Sequence, residues 1–364
     1  MSTINNGDAG TAIITGLEPG IYQFRFANDD YQLDNFEGFK LKAAAAHEAE
    51  VADGGLTIPT TGTQYVEYTA SVKVKVTGTN DEELTVKFFI GETQYGEAVT
   101  KNVASNATET FEVTFTPDAA VNGDAYFTIE STDITAFQSN TVAVTIAAAT
   151  VLDETVAPEL TEGIVPSLLL KYTRYNGWNT ICVPFELTSG ILKTIFGKGW
   201  KAYEFKGYSD GTLNFETATT FVAGYPYIIY VENAQTNTDD IVLLNVNISR
   251  LTAQYDSNND AYFHGSYAPI AAPDMNGLWG ITSEGRIAKG TAEASIDGFR
   301  AYFELPSTTT GAPLLSIDGG PATRIHSIDN GQLTIDNAYD LSGRRVAQPS
   351  KGLYIINGKK VILK

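Results

Sequence analysis

The sequence predicts an all-β protein built from several domains, and three observations predict it. Thr, Val, Ile, Tyr and Phe recur in short runs cut by glycine and Asx clusters, the composition of strands separated by turns. Several of those runs alternate apolar and polar residues with period two, which gives each strand one apolar and one polar face. Apolar spacing near 3.6, the helical period, is confined to one short stretch. At 364 residues the chain exceeds one ordinary core, so roughly two to four domains are expected. Its 43% apolar residues, with 18 Phe and 19 Tyr, are ample for packed cores and exclude global disorder.

Charge and cysteine content narrow the function classes. The formal net charge of −19 repels phosphate backbones and anionic headgroups, so neither nucleic acid nor an anionic membrane surface is an expected partner. No run approaches the roughly 20 apolar residues of a membrane-spanning helix, and no direct membrane insertion is expected. Cys182 is the single cysteine and has no disulfide partner within the chain. Its neighbours Ile181 and Val183 predict a buried, inert thiol.

Residues 1–46 encode a few strands. Residues 11–20 read as a strand and a turn, with Pro19 set at the corner and Gly20 after it. Residues 21–26 then alternate. The phrase GLEPGIYQFRF resembles the closing hairpin of a fibronectin type III or jelly-roll module, which implies an incomplete β-module here. Residues 43–51 read as a helical turn or a linker, with His47 and Glu48 as a solvated pair.

Residues 55–148 carry the clearest alternation. Val72, Val74 and Val76 fall on one face of a strand, with Lys73 and Lys75 on the other. Further strands follow at 84–90, 110–115, 125–129 and 141–146, and this density over roughly 90 residues predicts a β-sandwich. The phrase TVKFFIGETQYGEAV resembles the adhesion-type immunoglobulin-like repeats of bacterial surface proteins. Such a resemblance implies an architecture and no particular activity. The acidic, Pro158-interrupted stretch 151–162 reads as a linker.

Residues 164–318 read as a β-domain with one short helix. There Ser189 is the expected cap, Ile191, Leu192, Ile195 and Phe196 share a face, and Gly197 stops the helix. The series WNTICVPFEL, AYEFKG, FVAGYPYIIYV, YFHGSYAP and FRAYFELP resembles a β-domain found beside the C-terminal tail of many large secreted Bacteroidetes proteins.

Residues 325–364 read as a small β tail of three short strands, with turns at Ser342-Gly343, Lys351-Gly352 and Asn357-Gly358. The order YDLSGRRV…KGLYIINGKKV resembles the C-terminal sorting domains read by the type IX secretion machinery of Bacteroidetes. On that resemblance the sorting residues are Gly343, Arg344, Arg345, Lys351, Gly352, Tyr354, Asn357, Gly358, Lys359 and Lys360. It implies an extracellular or cell-surface location and secretion or attachment machinery as partner. From Tyr339 onward, six basic residues stand against one acid, Asp340, which suits docking to an acidic receptor surface. Residues 1–6 lack the basic start and apolar core of a signal peptide, so a leader is expected upstream or already removed.

No catalytic constellation is evident. His47, His264 and His326 fall in three different segments, which argues against a shared zinc site or triad. Neither a phosphate-cradling loop nor a dinucleotide fingerprint occurs. Asp256, Asn258 and Asp260 have the spacing that opens a calcium loop, but Ala261 stands where such a loop needs Gly and Tyr267 where it needs a bidentate Glu. Calcium is the one cofactor this spacing suggests, and with those departures no cofactor is expected. Strand neighbours point to opposite faces, so the adjacent pairs Glu82/Glu83 and Asp239/Asp240 do not suit paired-carboxylate glycosidase chemistry, and they read as solvated turns. Tyr225, Tyr227, Tyr230 and Trp279 are the candidate ligand-binding rings. The sequence thus predicts a non-catalytic secreted or surface protein for display, adhesion or binding of a surface glycan or protein. The alternatives are the accessory end of a secreted hydrolase and a carbohydrate-binding protein.

Overall fold

The computed structural model describes residues 46–232, 237–258, 260–323, 338–340, 345–346, 352–356 and 359–363. The incomplete module expected over 1–46 lies, but for Ala46, outside the described residues.

Nine strands form the first body: β1 (Ala49–Thr57), β2 (Thr61–Thr63), β3 (Tyr68–Val76), β4 (Glu82–Ile90), β5 (Thr93–Val103), β6 (Thr108–Phe115), β7 (Val121–Glu130), β8 (Phe137–Gln138) and β9 (Val142–Ala147). They make two sheets, β1-β3-β6 and β2-β9-β7-β4-β5, with β8 paired to β7. The alternation in β3 buries Val72, Val74 and Val76 completely and leaves Lys73 exposed. Phe88 of β4 packs 4.9 Å from Phe115 of the opposite sheet and 5.0 Å from Phe127 of its own, which joins the two inner faces. This is the immunoglobulin-like sandwich expected from the sequence.

The second body follows two residues after β9. Its elements are β10 (Thr150–Asp153), β11 (Gly163–Lys171), β12 (Gly177–Ile181), α1 (Ser189–Phe196), β13 (Trp200–Ser209), β14 (Thr212–Thr217), β15 (Tyr227–Val231), β16 (Ile241–Ile248), β17 (Tyr255–Asn258), β18 (Ala261–Ser266), β19 (Trp279–Ile281), β20 (Ile287–Lys289), β21 (Arg300–Glu304) and β22 (Leu314–Ile317). Three sheets result, ordered β10-β11-β16, β12-β15-β13-β14-β22 and β17-β18-β21-β19-β20. One core gathers Leu168, Leu170, Cys182, Phe185 and Phe299 with Leu192 and Ile195 of α1. A second core lies between the two five-stranded sheets. There Phe205 and Phe215 meet Phe263 and Phe303, whose rings stack at 4.5 Å. Helix α1 is capped by Thr188, not by Ser189 as expected; the Thr188 side chain accepts from Ile191 N, and Gly197 closes the helix at φ 78°.

The stretch 151–162 is not a simple linker. Thr150–Asp153 pairs in parallel with Leu168–Lys171, and Glu154 is 6% exposed. Its carboxylate binds the buried Arg300 at 2.8 Å and accepts from Thr173 N (2.8 Å) and Oγ1 (2.6 Å). Acidity and a proline suggest solvent, but here the acid neutralises a buried guanidinium.

Four tail strands are described, β23 (Ala338–Tyr339), β24 (Arg345–Val346), β25 (Gly352–Ile356) and β26 (Lys359–Leu363), one more than expected. They form one sheet ordered β24-β23-β25-β26, with Ile356 paired to Lys359 as a two-residue hairpin at Asn357-Gly358 requires. Those two residues, together with Gly343, Arg344 and Lys351, lie outside the described residues.

Candidate functional site

Two clusters of side chains are brought together by the fold. The first is a row of rings on the outer face of the sheet β17-β18-β21-β19-β20. In β18 the inward residues are Ala261 and Phe263, so Tyr262 and His264 point outward; in β21 Tyr302 points outward between Ala301 and Phe303. Antiparallel register pairs Tyr255 with His264 and His264 with Tyr302, so the three rings cross three adjacent strands. His264 stacks on Tyr302 at 5.1 Å and on Tyr262 at 5.5 Å, and Tyr255 lies 5.5 Å from His264. Tyr255 closes the row on the edge strand and is 55% exposed. Glu304 sits 3.1 Å from His264 Nε2. Burial, with a smaller effect of the Glu304 charge, raises the Tyr302 phenol above its ordinary range. The arrangement offers aromatic faces and edges beside phenol, imidazole and carboxylate groups.

The second cluster lies in the sandwich. His47 Nδ1 is 2.7 Å from Glu82 Oε1, Ser131 Oγ donates to Glu82 Oε2 at 3.1 Å, and Asn80 Nδ2 is 3.0 Å from His47 Nε2. One ligand atom each from His47, Glu82 and Asp133 lies within 4.8 Å of the others. This corrects two expectations. His47 is not a solvated linker residue, because the chain after it enters β1; Glu82 is not in a solvated turn, because it opens β4 facing inward and is 1% exposed.

The rings expected to bind ligand are placed differently. Tyr227 and Trp279 are core residues, 4% and 5% exposed, and Tyr227 holds Val222 N through its hydroxyl at 2.8 Å. Tyr225 packs against the first core, and Tyr230 leans on Trp178 at 5.0 Å. They form no common outer face. Asp256 and Asn258 lie in the short strand β17, and Asp260 turns the hairpin at φ 59°. The Asn258 side-chain nitrogen is committed to Lys206 O at 2.9 Å, and burial followed by the Glu204 charge raises the Asp256 carboxyl. Asp239 and Asp240 line a cleft of about 750 Å³ beside the end of α1, with Arg174 held by Asn237 and by Asp239 O. Cys182 is fully buried, its Sγ 3.1 Å from Gly224 O, and burial pushes the thiol far up. His326 lies outside the described residues.

Fold and sites together define an all-β protein with an immunoglobulin-like sandwich, a second multi-sheet body and a small terminal sheet. No protein-family model and no curated protein matches the chain. Among solved structures, it is similar to the CARDB domain of a Pyrococcus furiosus protein in complex with di-metal ions. That match has 15% identity and a TM-score of 0.24, and covers 31% of this chain and all of that domain. A second similarity is to native α2-macroglobulin from Escherichia coli, spanning domain MG7 to the C-terminus. It has 12% identity and a TM-score of 0.21, and covers 44% of this chain and 23% of that one. Among the described residues, no helix is long and apolar enough to cross a membrane.

Proposed function

We propose that the chain is a non-catalytic, surface-displayed binding protein whose second body takes a neutral glycan on the Tyr255–Tyr262–His264–Tyr302 row. The observation that carries this reading is the row itself. Outward strand positions are ordinarily polar, and four aromatic rings on one solvent face are costly to leave without a partner. Tyr255, at the end of the row, has a ring face available for the C–H face of a sugar, while the neighbouring hydroxyls and Glu304 supply hydrogen bonds. A chain of net charge −19 favours neutral over sulfated or sialylated glycans. The sandwich serves as a spacer. The tail is the address for type IX secretion and attachment; its support is the residue order YDLSGRRV…KGLYIINGKKV and its local basic charge.

The test is a glycan array probed with the full chain and with Tyr255→Ala and Tyr302→Ala. Retention of neutral oligosaccharides by the parent, with clear loss in both variants, supports the reading. Absence of retention, or equal retention by parent and variants, overturns it. The address is tested by grafting residues 325–364 onto a signal-bearing reporter in a type IX host, where failure to reach the surface sinks that part.

A further inference from the structure

We propose that His47, Glu82 and Asp133 form a binding site for one divalent transition-metal ion, with Zn2+ as the favoured metal. Three segments far apart in sequence supply the donors. His47 lies two residues before β1, Glu82 opens β4, and Asp133 sits in the loop between β7 and β8. An imidazole nitrogen and two carboxylates within 4.8 Å make a mixed N/O set that suits zinc better than calcium or magnesium, which favour all-oxygen shells of six or more.

An independent observation is the charge balance. The Glu82 side chain is 1% exposed, and a second carboxylate stands beside it. Among the described residues, no Lys or Arg comes within ion-pair distance of either carboxylate; the only cation-forming partner is His47. A buried carboxylate next to another acid, with one imidazole as its sole counter-group, leaves negative charge that a divalent cation neutralises.

The surroundings match what a metal-bound histidine needs. His47 directs Nδ1 at Glu82, and Asn80 holds Nε2 at 3.0 Å. Metal uptake at Nδ1 displaces the hydrogen bond to Glu82, and the ring proton moves to Nε2. A turn of the Asn80 amide then lets its oxygen accept that proton, the outer contact that fixes a ligating ring. Ser131 continues to hold the second Glu82 oxygen. Asp133 is exposed on its loop and is the group that closes in. Three protein donors leave a fourth position for water. Bound metal ties the entry to β1, the start of β4 and the β7–β8 loop together at one end of the sandwich.

The test uses the full chain stripped with a chelator and titrated calorimetrically with Zn2+, Ca2+ and Mg2+. The expected result is one tight Zn2+ per chain and weak or no uptake of the other two. Co2+ should then give the visible absorption of a low-symmetry, four-coordinate site. Asp133→Asn, at an exposed position that leaves the fold intact, and His47→Ala should each weaken Zn2+ by more than the roughly tenfold that loss of even an outer partner costs. Absence of Zn2+ binding overturns the proposal. So does binding left unchanged in both variants, which would place the ion elsewhere, or equal preference for Ca2+, which would refute the donor argument.

Discussion

Replacing Glu154 by alanine should destabilise the second body by about 3 kcal/mol. Glu154 and Arg300 are 6% and 5% exposed and meet at 2.8 Å. Removing the carboxylate strands a guanidinium in a dry site, and breaking a buried pair from one side costs roughly 3–5 kcal/mol. Arg300 keeps Thr173 O at 2.6 Å, the Tyr172 hydroxyl at 3.0 Å and the Tyr172 ring face at 4.1 Å. Those contacts put the loss at the lower end of the range. For a body of this size, about 1 kcal/mol corresponds to roughly 2–4 °C, so the midpoint should fall by about 6–12 °C. Trp178, Trp200 and Trp279 all lie in this body and the sandwich has none, so tryptophan fluorescence during heating reads it separately. Arg300→Met on top of Glu154→Ala should cost less than the sum of the two single changes, because it removes the stranded charge. A drop below about 2 °C in the single variant would refute the reasoning and return residues 151–162 to the role of a solvated tether.

Two further outcomes follow from buried contacts. Gly265→Ala should lower the same midpoint, because a Cβ there overlaps Cys182 Sγ and comes within 3.1 Å of Gln254 O. Overpacking of this kind costs roughly 1–3 kcal/mol. Adding Cys182→Ala should restore part of the loss, and no restoration would show that the backbone contact dominates. Burial and then Glu204 raise the Asp256 carboxyl above its ordinary value of 3.8. An acid raised on folding adds stability that is fully present below the unfolded value and lost as pH rises through the folded one. Asp256→Asn should therefore match the parent at low pH and exceed it at neutral pH. A midpoint difference that does not grow with pH would contradict this.

Strand identity was legible in the sequence where one face is buried. Val72, Val74 and Val76 against Lys73 and Lys75 state the face of β3 without knowledge of its partners, because a one-residue shift would expose every valine. The outward direction of Tyr262, His264 and Tyr302 follows from the same rule, although the rings expected to bind ligand are others. Tyr262 and His264 flank Phe263, and Tyr302 sits between Ala301 and Phe303, so alternation alone sends them outward once the phenylalanines are assigned to the core. Tyr227 and Trp279 are rings whose type suits ligand binding, yet both are core, because composition does not say which face of a strand a ring takes. The register that lines up Tyr255, His264 and Tyr302 depends on strand pairing across 47 residues, which periodicity does not encode.

The acidic residues show why the remainder was hidden. Glu82 and Glu83 read as a solvated turn, and strand alternation sends such neighbours to opposite faces. That alternation is correct, and it is what turns Glu82 into the sandwich while leaving Glu83 exposed. An inward carboxylate needs a counter-group, and the one it finds, His47, lies 35 residues earlier in a stretch that looked like a linker. Glu154 repeats the pattern with Arg300, 146 residues away. In both cases the local sequence is polar enough to suggest solvent. Only the closed fold shows that burial makes each acid require a partner. Charges in such a chain are informative about site chemistry through the separation of the residues they join, and that separation is set by sheet topology.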